Sequence, residues 1–335
     1  MRNANSARLH EARGAVRIEA VEVGEPGRGE ALVRMEACGV CHSDLFVGSL
    51  EKLPVMPLTL GHEGIGRIEA VGPDATGWAA GDRVGMTFLG TTCGTCEQCQ
   101  AGRDRYCAKQ TNFGYTLQGV LAGYVVAPTA ALVRVPAEID ATALAPMCCA
   151  GWTAFGAVNE AGLVAGQTVA LFGFGGLGHL ALQIAKQQGL RVAVVDTSEA
   201  KLDMARAGGA ELTASGDSAG RTVLKQWGGV DAAIVLTGSA AAIPQAFKAL
   251  KRLGRLVLVG MSVSQYELPL LETVLKGIQI RGSYLGTRQD LESVFALARS
   301  GAIEAHVETH GIAETPAILE RMKRGEIAGR AVVAF

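Results

Sequence analysis

The stretch V-A-L-F-G-F-G-G-L-G-H, residues 169–179, identifies the fold class of the second half of the chain. Gly173, Gly175 and Gly178 form the pattern G-x-G-x-x-G between a predicted strand and a predicted helix. Glycines at these places allow a tight turn and a close backbone approach, so a pyrophosphate can lie at the helix N-terminus. We therefore predict a dinucleotide-binding loop made of Gly173, Gly175, Gly176, Leu177 and Gly178.

The strand that follows this loop, RVAVV at residues 191–195, ends at Asp196, 18 residues after Gly178. A carboxylate at this place can accept hydrogen bonds from both hydroxyls of an adenosine ribose, and it would repel a 2′-phosphate. We expect NAD rather than NADP as the cofactor. The alternative is a glycine turn followed by a surface aspartate that binds nothing.

Around this loop, apolar β-branched runs alternate with helical patterns. Strand, helix, strand at this spacing is typical of a doubly wound parallel sheet, the Rossmann form of an α/β fold. The predicted strands are residues 168–172, 191–195, 230–236 and 255–259, and the predicted helices are residues 177–188, 198–207 and 240–250.

Before residue 150 the chain consists of short alternating segments separated by Gly, Pro and Asp, which is typical of antiparallel strands joined by turns. After Asp290 we predict an amphipathic helix, then a terminal strand in GRAVVAF that is peripheral to the parallel sheet or returns to the first domain. The predicted domains are residues 1–153 with 290–335, and residues 154–289. The early strands are predicted at residues 31–36, 66–71, 83–88, 123–126 and 131–135.

Composition excludes several classes of protein. The chain has 335 residues, of which 49% are hydrophobic and 19% charged, and its net charge is −1. Such a balance argues against disorder and against binding to nucleic acid or to an anionic membrane, so we expect a small-molecule partner. No apolar run resembles a secretory signal, and the uncharged stretch 161–185 contains too many Gly and polar residues for a lipid-facing helix. We expect a cytoplasmic protein.

All eight cysteines lie in the first 149 residues. In a reducing compartment a cluster of thiols indicates a metal site rather than disulfides. The tightest cluster contains Cys93, Cys96, Cys99 and Cys107. Four thiolates within 15 residues can surround one Zn²⁺ and leave no open position for a substrate, so we predict a structural zinc site. An iron–sulfur centre and free buried thiols are the alternatives.

A second set of possible ligands is dispersed along the chain. It comprises Cys41 in GVCHSD, His62 and Glu63 in LGHEG, and the pair Cys148 and Cys149 in PMCCAG. Two thiolates and an imidazole form the three-ligand set of a catalytic zinc that keeps a fourth position for water or substrate. Taken alone, a buried Cys or His is more often an ordinary core residue, and these residues indicate a metal site only together with the four-cysteine segment.

Together these motifs resemble the zinc-dependent alcohol dehydrogenases of the medium-chain dehydrogenase/reductase superfamily over nearly the whole chain. The resemblance implies a mostly β, GroES-like catalytic domain beside a Rossmann cofactor domain. It also implies two zinc ions per chain, reversible hydride transfer between an alcohol and NAD, and a homo-oligomer that is a dimer or tetramer. The matching stretches are EACGVCHSD (36–44), GHEGIG (61–66), GDRVG (81–85), the four-cysteine segment, APMCCAG (145–151), GFGGLGH (173–179) and SYLGTRQDL (283–291).

The same resemblance implies a role for each site residue. Cys41, His62 and Cys149 would bind the catalytic zinc, with Cys148 a neighbouring thiol packed among apolar groups. Asp44 would orient His62, and Glu63 would lie behind the metal and assist ligand exchange. Ser43 would accept the proton of the alcohol and pass it through the cofactor ribose.

Other positions are implied more weakly. The solvent end of the proton relay, often a histidine in the family, is Ser49 in this sequence, and the histidine often found at the position of Phe46 is also absent. Ser49 cannot act as a base near pH 7.

The resemblance also implies contacts to the cofactor and the substrate. His42 and Arg288 would bind the pyrophosphate, and Lys201 would bind the adenosine ribose. The substrate pocket would be lined by Phe46, Leu50 and Phe88, which favours a small to medium apolar alcohol or aldehyde.

Three other functions are compatible with parts of this pattern. An NADPH-preferring aldehyde reductase of the cinnamyl alcohol dehydrogenase type has a similar glycine loop, but Asp196 argues against it. A zinc-free quinone reductase of the same superfamily conflicts with the complete set of seven ligands. A binding protein that kept the fold and lost turnover would require a broken site, and no ligand is missing.

Overall fold

The computed structural model describes residues 2–263 and 265–335, which form two compact units. The first unit contains the N-terminal segment up to Cys149 together with Leu291–Ser300 and Glu304–Phe335. The second unit contains Ala150–Asp290 and Gly301–Ile303.

Each strand and helix that the sequence predicts is present, with ends shifted by up to five residues, and the chain forms further strands and helices that the sequence did not predict. The strands are β1 (Arg2–Leu9), β2 (Arg17–Val23), β3 (Glu30–Val40), β4 (Leu58–Thr59), β5 (Glu63–Val71), β6 (Arg83–Met86), β7 (Tyr124–Pro128), β8 (Leu132–Arg134), β9 (Thr168–Phe172), β10 (Arg191–Val195), β11 (Leu212–Ala214), β12 (Val230–Val235), β13 (Leu250–Leu258), β14 (Gln279–Gly282), β15 (Val307–Gly311) and β16 (Arg330–Ala334). The helices are α1 (His42–Ser49), α2 (Glu97–Gln100), α3 (Ala141–Leu144), α4 (Ala150–Ala161), α5 (Gly178–Gln187), α6 (Glu199–Ala207), α7 (Ala219–Trp227), α8 (Ala242–Ala249), α9 (Leu270–Lys276), α10 (Arg288–Arg299) and α11 (Thr315–Lys323).

The second unit is built on a six-stranded parallel sheet in the order β11-β10-β9-β12-β13-β14. This confirms the predicted doubly wound fold. Strand β9 lies at the centre because its residues are apolar and almost wholly buried on both faces. The chain passes from β9 to β10 on one side and later to β12 on the other, so β9 marks the point where the winding reverses, which is where such sheets bind ligands.

The first unit contains a seven-stranded mixed sheet and a three-stranded sheet. The larger sheet runs β15-β16-β3-β5-β6-β8, and β7 also pairs with β3. The smaller sheet has the order β2-β1-β4. Their apolar faces enclose one core, whose buried members include Leu9, Leu60, Met86, Phe113 and Val333. The mostly β character that the sequence predicts is confirmed.

The terminal strand returns to the first unit, which is one of the two outcomes expected from the sequence. β16 pairs antiparallel with β3 and parallel with β15, so it lies inside the larger sheet rather than at an edge. Among the described residues, no single helix is long and apolar enough to cross a membrane. Only the bent pair Ala141–Cys148 and Ala150–Ala161 reaches the required length and composition together.

Candidate active site and metal centres

The four cysteines of the 93–107 segment meet in space. Their sulfur atoms all lie within 4.8 Å of one another, and the Sγ–Sγ distance is 3.5 Å between Cys96 and Cys99 and 3.6 Å between Cys93 and Cys107. Short turns bring them together, because α2 is only one turn long and the segment 104–106 forms a 3₁₀ turn. The geometry fits four thiolates around one metal ion.

Backbone amides around this cluster support the charged form of its sulfurs. Cys96 N donates to Cys93 Sγ at 3.4 Å, and Lys109 N donates to Cys107 Sγ at 3.4 Å. Hydrogen bonds from the backbone N–H groups of Thr95 and Cys96 lower the pKa of Cys93 to about 5, whereas desolvation raises the pKa of Cys99 to about 11. Charge-assisted N–H···S bonds stabilise thiolates, which are the form that binds Zn²⁺.

A second cluster brings together Cys41, His62, Glu63 and Cys149, whose ligand atoms also lie within 4.8 Å of one another. All four residues are buried. Cys41 is the N-cap of α1, Glu63 is the first residue of β5, and His62 immediately precedes that strand. Cys149 follows the 3₁₀ turn Ala145–Cys148, and it is Cys149 rather than Cys148 that joins the group.

Asp44 holds the imidazole of His62 in place. Asp44 Oδ1 lies 3.3 Å from His62 Nδ1 and accepts from Gly61 N at 3.1 Å, while Asp44 Oδ2 accepts from Cys41 N at 2.8 Å. The other ring nitrogen, Nε2, is buried and has no hydrogen-bond partner among the residues that the structure describes. A buried ring nitrogen that has no hydrogen-bond partner and is grouped with two thiols is typical of a metal ligand. The two sulfur atoms and this nitrogen therefore fit Zn²⁺.

The two thiols of this cluster share one hydrogen bond. The bond from Cys149 lowers the pKa of Cys41 well below its usual value, and the same bond raises the pKa of Cys149 well above it. Burial lowers the pKa of His62, but the Asp44 carboxylate and the Cys41 sulfur together outweigh this and raise the pKa well above its usual value. A divalent cation bound to both sulfurs would take over the stabilisation that these protons supply.

Helix α1 carries most of the remaining predicted residues of the first unit. Ser43 Oγ lies 3.7 Å from Cys41 Sγ, which brings the predicted proton acceptor to the cluster. Ser49 is exposed, and its hydroxyl donates to Phe46 O at 2.7 Å. Phe46 and Leu50 are half-buried, and His42 is exposed. Outside the helix, Phe88 packs edge-on against His62, with ring centroids 5.1 Å apart.

In the second unit the glycine loop and Asp196 meet at the carboxyl end of the sheet. Gly173 has a φ of +102°, and a Cβ at Gly178 would lie 2.2 Å from Gly173 O, so both positions require glycine. Asp196 Oδ2 accepts from Phe174 N at 2.6 Å and Oδ1 from Ser198 N at 2.9 Å. Lys201 lies in the first half of α6, and Arg288 begins α10 and is exposed.

Two parts of the chain match models of known protein families. Residues 27–137 match the family model of the alcohol dehydrogenase GroES-like domain, and residues 176–300 match that of the zinc-binding dehydrogenases. An alcohol dehydrogenase of Geobacillus stearothermophilus is 39% identical over 322 residues, which cover 95% of this chain and 96% of that protein. The chain belongs to the zinc-binding alcohol dehydrogenase family.

Solved structures of similar proteins extend the likeness to the whole fold. The alcohol dehydrogenase of the archaeon Aeropyrum pernix is 33% identical, with a TM-score of 0.92 over 99% of this chain and 100% of that one. A cinnamyl alcohol dehydrogenase of Sorghum bicolor is 26% identical, with a TM-score of 0.89 over 99% of this chain and 98% of that one. Family membership therefore accounts for the two-unit architecture.

One residue of this family member that sequence reasoning missed is Arg330. Its guanidinium forms a buried ion pair with Glu63, and the two side chains are 2% and 0% exposed. Burial raises the pKa of Glu63 to about 7, although the charge of Arg330 opposes the rise. The signal in the sequence was a single arginine in an otherwise apolar terminal strand.

Proposed function

We propose that the protein is a zinc- and NAD-dependent alcohol dehydrogenase that transfers hydride reversibly between a primary or secondary alcohol and NAD. The observation that carries this proposal is the buried group of Cys41, His62 and Cys149 with the unpartnered Nε2 of His62. Such a set of two sulfurs and one nitrogen is typical of a zinc ion that keeps a position open for a substrate. The four-cysteine cluster is proposed to hold the second, structural zinc.

The proposed chemistry divides between the bound groups and the chain. A zinc ion in the cluster supplies the Lewis acidity that lowers the pKa of an alcohol hydroxyl, and NAD supplies the hydride acceptor. Asp44 fixes the tautomer and orientation of His62 through its contact with Nδ1. The hydroxyl of Ser43, close to Cys41 Sγ, accepts the alcohol proton and passes it on.

Cofactor choice is proposed to depend on Asp196. Its carboxylate is oriented by the amides of Phe174 and Ser198, one on each oxygen, and each oxygen keeps a lone pair for a ribose hydroxyl. The charge of this carboxylate would repel a 2′-phosphate, so NAD is preferred over NADP.

Further contacts are proposed for the cofactor and the substrate. The proposed cofactor contacts are His42, Lys201 and Arg288. The proposed walls of an apolar substrate pocket are Phe46, Leu50 and Phe88.

We also propose that the protein is a homo-oligomer. Every residue of the edge strand β14 is exposed, and α9 beside it buries none of its residues. Exposed apolar surfaces next to unpaired strand edges are sites of association. We call this surface the α9 patch; it contains Leu253, Leu268, Leu270, Leu271, Val274, Leu275 and Ile280.

The direct test is a steady-state panel of primary, secondary and aromatic alcohols with NAD and with NADP, combined with a zinc determination. The proposal requires two zinc ions per chain and faster reduction of NAD than of NADP. Preference for NADP would favour a reductase of the cinnamyl alcohol dehydrogenase type. Two zinc ions with no reduction of either cofactor would favour a binding protein on the same fold.

A further inference from the structure

Arg13 adopts a backbone conformation that is costly for residues other than Gly and Asn. Its φ is +61°, and it lies in the loop between β1 and β2, in a turn closed by Gly14 N donating to Glu11 O at 3.1 Å. The third position of such a turn favours Gly or Asn because only they adopt positive φ at low cost. A non-glycine outlier of this kind points to a use for its side chain.

The side chain of Arg13 contacts the C-terminal end of α1. Arg13 N donates to Gly48 O at 3.1 Å, and Nε donates to Ser49 O at 3.1 Å. Nη2 of the same guanidinium forms an ion pair with Glu51 at 3.1 Å, just beyond the end of the helix. Arg13 thus binds α1 through its backbone and its side chain at once.

These bonds complete the last turn of α1. A helix leaves its final four carbonyls without partners inside the helix, and each must find a donor elsewhere. Phe46 O accepts from the hydroxyl of Ser49, and Val47 O accepts from Leu50 N at 3.2 Å. Gly48 O and Ser49 O accept from Arg13. The sequence of α1, HSDLFVGS, supplies no Lys or Arg of its own near this end, where a cation is favourable.

The end of the helix that Arg13 holds is the end that carries Phe46 and Leu50. The opposite end is fixed independently, because Asp44 accepts from the amides of Cys41 and Gly61. A loss of the guanidinium should therefore loosen the last turn and leave the metal-binding end in place. Phe46 and Leu50 would then lose their fixed positions while Ser43 and Cys41 keep theirs.

We propose that Arg13 is a positioning residue that sets the discrimination between small and bulky alcohols by fixing the last turn of α1. The proposal rests on the proposed alcohol dehydrogenase activity. Arg13→Gly is the sharpest variant, because glycine satisfies the positive φ, keeps the bond from residue 13 N to Gly48 O and removes the side chain with its guanidinium. Arg13→Lys restores a cation without the planar pair of donors. Glu51→Gln, which breaks the ion pair and keeps the bond to Ser49 O, and Arg17→Ala, at an exposed position on β2, are the controls.

The measurements are kcat and KM for ethanol and for benzyl alcohol, and hydrogen exchange in a peptide covering residues 42–53. In Arg13→Gly we expect amides of the last turn to exchange about fivefold faster or more. We expect the ratio of kcat/KM for the two alcohols to change at least threefold through KM, with kcat for ethanol within twofold of the wild-type value. Arg13→Lys should recover part of both effects, and both controls should resemble wild type.

If amides in the last turn of α1 exchanged as slowly in Arg13→Gly as in wild type, the proposal would be overturned. Faster exchange with an unchanged ratio would also overturn it, because Arg13 would then stabilise the helix without affecting specificity. If the wild-type protein oxidised neither alcohol with either cofactor, the proposed function would fail and the specificity role would fall with it. The exchange experiment would still show whether Arg13 holds α1, so the two failures are distinguishable.

Discussion

Individual residues of the candidate site also stabilise the local structure, in addition to the chemistry proposed for them. Asp196 is the clearest case, since it joins the glycine loop at Phe174 to the start of α6 at Ser198. The sequence predicts its place after β10 because the motif is local. The two hydrogen bonds that its carboxylate accepts from backbone amides could not be predicted, because they depend on the geometry of a turn rather than on residue spacing.

Replacement of Asp196 by Ser, with Arg in place of Thr197, should move cofactor preference toward NADP by tenfold or more, equivalent to about 1.4 kcal/mol. The charge that repels a 2′-phosphate is lost and a cation is gained. The measurement is the ratio of kcat/KM for NAD and NADP. Asp196→Asn is a partial control, because it removes the charge and keeps one side-chain oxygen, which can accept from only one of the two amides. An unchanged ratio in the double variant would exclude Asp196 from cofactor choice.

Ser49→His should supply the internal base that the proposed proton relay lacks. The hydroxyl of Ser49 is occupied as a donor to Phe46 O, and it does not titrate near neutral pH. We expect single-turnover alcohol oxidation at pH 6 to 8 to rise about 10-fold in the variant, and buffer dependence to be confined to wild type. Single turnovers are needed because slow release of NADH would mask the change. Identical transient rates without buffer dependence would mean that another residue completes the relay.

At the scale of elements, local patterns were predictable and long-range pairings were not. In the parallel sheet, β9, β10, β12 and β13 follow from runs of Val, Leu and Ala alternating with helical periodicity, whereas the short strands β11 and β14 were not predicted. Strands β1 and β2 were not predicted, because their sequences RNANSARL and RIEAVEV contain many small or charged residues. The placement of β16 beside β3 joins residues about 290 positions apart, and nothing local specifies it.

That placement brings Arg330 to Glu63, and the pair can be tested by breaking it. Arg330→Met should lower the free energy of unfolding by about 3–5 kcal/mol, because Glu63 would be left buried without its partner. Urea denaturation measures the loss. The double variant Arg330→Met with Glu63→Gln should recover most of it, since no unpaired charge remains. Equal losses in the single and double variants would show that packing of the Arg330 side chain, rather than its charge, stabilises the strand.

At the scale of the whole molecule, composition and the asymmetric distribution of cysteines predicted two domains with metal in the first. The first unit is assembled from segments at both ends of the chain, and the second from a nearly continuous segment. The family resemblance also predicts that the protein is a homo-oligomer, but it does not predict which surface forms the interface. The α9 patch could not be recognised beforehand, because its leucines have the same composition as a core helix and only the structure shows them exposed.

Leu271→Glu should weaken or abolish the proposed oligomer, because it introduces a charge into the α9 patch, where Leu271 is 72% exposed. Light scattering coupled to size-exclusion chromatography across a range of concentrations measures the mass. We expect at least a tenfold increase in the dissociation constant. Val164→Glu is the matched control, since Val164 is 67% exposed and lies outside the patch. Equal masses for wild type and Leu271→Glu would place the association surface elsewhere.

The central claim is that one cluster holds a catalytic zinc and the other a structural zinc. It is tested most directly by measuring zinc content, NAD reduction and melting temperature in Cys149→Ser and Cys99→Ser. We predict two zinc ions per chain in wild type. Cys149→Ser should lose one zinc and all turnover while keeping its melting temperature, because an open site contributes chemistry. Cys99→Ser should lose one zinc and melt at a clearly lower temperature, because a closed site contributes folding free energy. Equal loss of melting temperature and of turnover in both variants would contradict the account.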